Sequence, residues 1–123
     1  MSDIEIGQVW SFKTDKFQEN SVVIHQIEPY ANGLTAVHIT VHGDVQVSEN
    51  ETMSFGHFPF EATAFKNSLC ELLGTSNEYQ ETFKQGYQYW QNENGGVFTV
   101  SIHDAIEMCI DTNLNPDRKV MEL

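Results

Sequence analysis

The sequence predicts an α+β domain: a mostly antiparallel, curved sheet with three helices packed on one face. Two patterns and one number predict it. Residues 8–48 alternate apolar and polar residues in short runs separated by turn signals, with no crossover helix between them, as in an antiparallel meander. Residues after 61 instead carry apolar side chains at helical spacing, apart from one late strand. The chain has 123 residues, 40% of them hydrophobic and 11% aromatic, which fits one core and a single domain spanning 1–123.

The first strand is Gln8–Lys13, with Trp10 and Phe12 on one face and Val9, Ser11 and Lys13 on the other. Ser21–Glu28 is rich in β-branched residues, and Tyr30-Ala-Asn-Gly33 supplies a turn. Leu34–His42 is the clearest strand, because Val37, Ile39 and Val41 alternate with His38, Thr40 and His42. Gly43-Asp44 reads as a turn, after which Val45–Val47 pairs back as a hairpin. Glu61–Leu73 reads as the first helix, closed by Gly74 as its C-cap. The second runs from about Glu78 to Gln91, with Tyr79, Phe83, Gly86, Tyr87 and Trp90 as its buried stripe. Asn94-Gly-Gly96 ends it, and Val97–Val100 is the late strand. Ser101 caps the third helix, which buries Ile102, Ala105, Ile106 and Cys109. Residues 112–123 form a polar tail interrupted by Pro116, expected to fray.

Charge narrows the function classes. Six Lys plus Arg stand against eighteen Asp plus Glu, a net of −12. Such a surface repels nucleic acid and anionic membranes and speeds encounter with cationic partners. No GxxxxGK[ST], GxGxxG or basic stripe is present, so no nucleic-acid partner and no cofactor is expected. The N-terminus has acidic residues where a signal peptide has positive charge, and no apolar run approaches membrane-spanning length; the expected location is the cytoplasm. Cys70 and Cys109 fall on apolar faces of the predicted helices and are expected as reduced core thiols.

Catalytic and metal motifs are absent. No G-x-S-x-G elbow occurs, and Ser101 near His103 reads as a helix cap. His38 and His42 share a strand face, but four residues of extended chain separate them by about 13 Å. One zinc cannot take both nitrogens at ~2 Å, so no metal site is expected.

The remaining signal is acidic. Asp104, Glu107 and Asp111 form a stripe opposite the buried face of the third helix, and Glu49 and Glu51 add a second cluster. Phe55, Phe58 and Phe60 are the candidate aromatic anchors beside them, since charge steers encounter while buried aromatics hold a partner. The reading is a small, non-enzymatic protein-binding domain. In size, charge and lack of chemistry it resembles the immunity proteins with which bacteria neutralise basic toxins, a likeness of type that transfers no residue. The alternative is a small enzyme or ligand-binding domain with a pocket between sheet and helices, using His38, His42 or His57.

Overall fold

The computed structural model describes residues 4–77 and 81–114. Strands β1 (Gln8–Phe12), β2 (Ser21–Pro29), β3 (Thr35–Ser48) and β4 (Glu51–Glu61) form the N-terminal half. Helix α1 (Ala62–Ser68), strand β5 (Leu69–Thr75), helix α2 (Glu81–Asn92) and helix α3 (Ile102–Leu114) follow. The sheet has five strands in the order β4-β3-β2-β1-β5, every pair antiparallel. The α+β class, the open antiparallel sheet and the three helices are as the sequence predicts.

β3 lies between β2 and β4 and is buried on both faces from Ala36 to Val41. Val37, Ile39 and Val41 join Val22, Ile24 and Phe60 in the main core, which α1 and α3 close with Phe65, Ile102 and Ile106. His38 and Thr40, also buried, point to the opposite face, where α2 lies. The helices therefore do not share one face of the sheet. Strand alternation assigns α1 and α3 to one face and α2 to the other.

Three local readings are corrected. Gly43-Asp44 does not turn the chain. β3 runs on to Ser48 through a register shift between Val41 and Val45, with Gly43 at φ +86°. The Asn20 side chain donates to the carbonyls of His42 and Asp44 at 3.2 and 3.3 Å, clamping this irregular stretch. The reversal comes instead at Glu49-Asn50.

The first helix stops early. Glu61 caps it, accepting from the Thr63 and Ala64 amides at 2.9 and 3.1 Å, and those bonds lower the Glu61 pKa, that to Thr63 most. Ser68 ends it, donating from Oγ to the Ala64 carbonyl and accepting the Ile102 amide at 3.0 Å. Leu69–Thr75 then turns into strand and pairs with β1. A short apolar run satisfies either period, and here the edge of β1 supplies hydrogen-bond partners that a longer helix would leave unmet. Gly74 is therefore a strand residue, Cys70 is exposed, and Leu72 and Leu73 are 51% and 56% exposed. Cys109 does pack against the core, and burial pushes its thiol up to about 11.

The late strand is thus β5. Around Val97–Val100 only Phe98 bridges, parallel to Phe60: its amide donates to the Pro59 carbonyl and its carbonyl accepts the Glu61 amide. α2 falls where expected, and α3 starts at the predicted cap, with the Asp104 amide donating to Ser101 Oγ at 3.1 Å, but it runs on to Leu114, so residues 112–114 of the expected tail are helical. Tyr79 and most of the expected tail lie outside the described residues. Among the described residues no helix is long and apolar enough to cross a membrane.

The assignment of β5 separates two variants. Phe60→Ala removes a fully buried ring and is expected to cost about 3–5 kcal/mol in urea unfolding. Leu73→Ala, on the exposed strand, should change stability by no more than about 0.5 kcal/mol. A Leu73 loss comparable to that of Phe60 would restore a buried helix over 69–73.

Candidate functional site

α2 lies unusually close to β4, and two glycines make that possible. A Cβ on Gly86 would stand 2.7 Å from His57 Cβ, and one on Gly56 would stand 3.1 Å from Thr82 Cβ. Only hydrogen fits at Gly86. A glycine inside a helix costs about 1 kcal/mol relative to Ala, so its presence here is explained by the contact.

Beneath this contact two histidines meet. His38 Nδ1 and His57 Nε2 are 2.8 Å apart, with the rings nearly parallel at 18°. The edges of Tyr87 and Trp90 close on His38 at centroid distances of 4.8 and 4.5 Å. His38 Nε2 is buried without a hydrogen-bond partner, and Glu28 Oε1 stands 3.6 Å away. The same Glu28 oxygen accepts a hydrogen bond from the Tyr87 hydroxyl.

Electrostatics assigns the protons. A carboxylate facing His38 Nε2 favours a hydrogen on that nitrogen, which leaves Nδ1 as acceptor and His57 Nε2–H as donor. His57 Nδ1 is then a free acceptor. Among the described residues His38 Nε2 is the only buried side-chain nitrogen or oxygen without a partner, so His57 Nδ1 reaches accessible space. Burial lowers both pKa values to about 4, and the neighbouring His38 adds to the effect at His57. Both rings are neutral at pH 7.

That space is a cleft of about 780 Å³, lined by His57 from β4, by Thr82, Gly86, Tyr89 and Trp90 from α2, and by Glu93 and Gly96 from the turn that follows. It extends past the end of α2. The turn after the helix is tightly held: Trp90 Nε1–H donates to the Gly96 carbonyl at 2.8 Å, and the Tyr30 hydroxyl donates to the Gly95 carbonyl at 2.9 Å. A Cβ on Gly95 would overlap the Trp90 ring, so this position also requires glycine.

The residues singled out from sequence divide. His38 and His57 converge, whereas His42 is exposed further along β3. Phe55, Phe58 and Phe60 are 8%, 3% and 0% exposed; they are core residues, not surface anchors. The apparent surplus of aromatics vanishes because β4 buries Phe58 and Phe60 by alternation and a register shift brings Phe55 onto Phe58 at 4.9 Å. Glu49 and Glu51 are exposed at the β3–β4 turn. On α3, Asp104 is exposed and Asp111 half-buried, while Glu107 bonds the Lys16 ammonium at 2.8 Å and lies 3.9 Å from His103. Glu28, Tyr89 and Glu93 belong to the site without standing out in the sequence. Gly86 is the available signal, since a glycine inside a helical stripe marks a close approach.

Among the described residues no three His, Cys, Asp or Glu side chains assemble a metal site. No family model, curated protein or solved structure matches the chain.

The buried pair makes stability depend on pH. Two imidazoles of ordinary pKa 6.5 titrate near 4 when folded, so the unfolded chain binds more protons between those values. Their contribution is complete above about pH 6.5 and is lost as pH falls towards 4. Calorimetry should show the melting temperature falling from pH 6.5 downwards, with most of the fall between pH 6.5 and 5 abolished in a His38→Leu/His57→Leu double variant. An unchanged pH profile in that variant would place the titration elsewhere.

Proposed function

We propose that the protein is a non-catalytic binding domain that engages a basic protein, of the inhibitor or immunity type. The observation that carries this reading is the unmatched charge: with six bases and eighteen acids, at least twelve carboxylates have no Lys or Arg to pair with. The fold uses few of them. Glu61 caps α1, Glu28 accepts from Tyr87 and Glu107 pairs with Lys16. Glu49, Glu51, Glu93 and Asp104 remain exposed. Self-repulsion of so many charges opposes a compact state, so the excess is best explained by a cationic partner.

The enzyme alternative draws on the His38–His57 pair. It is the weaker reading, because among the described residues no Ser or Cys lines the cleft and neither imidazole carries a proton to donate at neutral pH as a cation.

The test is association kinetics with the basic protein captured on the immobilised chain and then purified. Reversing Glu49, Glu51 and Asp104 to Lys takes the net charge from −12 to −6 without touching a buried side chain. The on-rate should fall about tenfold or more at low salt, and the difference from wild type should shrink as salt rises. A partner that is itself acidic, or an on-rate indifferent to both salt and reversal, would sink the reading.

A further inference from the structure

Among the described residues the one charged side chain that lines the cleft beside α2 is negative. The cleft runs along α2 from Thr82 in its first turn to the Asn94–Gly96 turn beyond its last. Glu93 stands on its rim as an exposed carboxylate, and among the described residues no Lys or Arg lines it. His57 contributes an acceptor nitrogen and no charge, for the reasons of geometry and burial given above. Trp90 offers no donor to a ligand, because its N–H is already given to Gly96.

The walls add a second selection. Tyr89 is 70% exposed beside the cleft, and Trp90 forms the wall next to it. Aromatic faces attract cations, and they attract a planar, weakly hydrated cation best. A lysine ammonium would use the charge but neither the flat surfaces nor the spread of acceptors. A guanidinium supplies five donors in one plane, so it can pair with the Glu93 carboxylate through two of them, stack on a ring and keep donors for other acceptors of the cleft such as His57 Nδ1. The hydrogen bonds from Trp90 and Tyr30 that pin Gly95 and Gly96 set the rim before any ligand arrives, so little ordering remains to be done on binding.

We propose that this cleft is an arginine pocket, taking the guanidinium of a side chain presented by the basic partner. The assignment rests on the binding reading above and names the contact through which the partner would be held. Charge at Glu49, Glu51 and Asp104 speeds encounter; the cleft retains the complex.

The experiment is an NMR titration of the isotope-labelled, unmodified protein with the blocked tripeptides Gly-Arg-Gly, Gly-Lys-Gly and Gly-citrulline-Gly. The arginine peptide should produce saturable shifts confined to the amides of Gly95 and Gly96, the Trp90 indole N–H and the His57 ring, with affinity of about millimolar order. Lysine should bind more weakly. Citrulline, which keeps the shape and loses the charge, should not saturate. Glu93→Gln, an exposed change that leaves the fold intact, should weaken the arginine peptide about tenfold. Absence of saturation with arginine, equal shifts with citrulline, or full affinity in Glu93→Gln would each overturn the pocket. The two proposals fail separately: a purified partner whose salt-dependent association is slowed by the surface reversals but whose dissociation is unchanged by Glu93→Gln would remove the pocket and leave the basic-partner reading standing.

Discussion

The closeness of α2 to β4 is the constraint on which the second face of the sheet depends. With a side chain at Gly86 the helix would have to rise, because 2.7 Å leaves no room for a methyl group, and at Gly56 the 3.1 Å approach would already push on Thr82. A raised helix would lift Tyr87 and Trp90 from His38 and admit water to the imidazoles. The pair would then lose the burial that lowers its pKa values. The cleft would lose its shape as well, since His57 and four residues of α2, Thr82, Gly86, Tyr89 and Trp90, line it together. Two missing side chains thus control packing, protonation and surface shape together.

Placing a buried histidine on an interior strand has its own logic. β3 is buried on both faces, apolar at Val37, Ile39 and Val41 and polar at His38 and Thr40. Both polar side chains find partners on β4: Thr40 Oγ1 donates to the Gly56 carbonyl at 2.8 Å, and His38 bonds His57. A slip of one residue would drive His38 into the aromatic core around Phe58 and Phe60, where no acceptor awaits it. The polar pair therefore specifies register, a use of buried polar groups that hydrophobic residues alone could not supply.

Much of this is legible in the residues, and the rest is hidden for identifiable reasons. Period-2 alternation marks β3, and period-3.6 spacing marks α2 and α3, because one-sided burial imposes those repeats. Leu69–Leu73 misleads because a short apolar segment fits both periods, and its fate depends on β1, far away in the chain. Gly43-Asp44 carries the composition of a turn yet serves as an irregularity within one long strand; the clamp by Asn20 lies outside any local window. Phe55 and Phe58 look like too many aromatics for one core only while β4 goes unrecognised as a strand, since its pairing with β3 is what turns them inward. Of the site, His38 and His57 stand out as candidates but their pairing does not, since nineteen residues and a hairpin reversal separate them. Glu28, on a third strand, gives no signal at all.

The acidic residues show how far fold and charge are separable here. Among the described residues no carboxylate side chain is buried in the core. The acids with structural roles sit at its margins and act locally, as a cap at Glu61 and as a tie from Glu107 to the chain before β2 through Lys16. That tie lies beside a contact of Thr14 Oγ1 with His103 Nδ1 at 2.7 Å and over the buried ring of Phe17, so Glu107 belongs to the anchoring of α3. An exposed pair of this kind contributes roughly 0–1 kcal/mol, too little to explain retaining an excess of acids across the whole surface. The core would fold around a neutral exterior as readily, and with less self-repulsion. What the core does supply is a rigid frame for α2, and through α2 a cleft whose open end faces solvent with one carboxylate, one neutral imidazole and two aromatic rings. The surplus charge and the shape of that cleft are separate features of the chain, and the proposal of a basic partner draws on both.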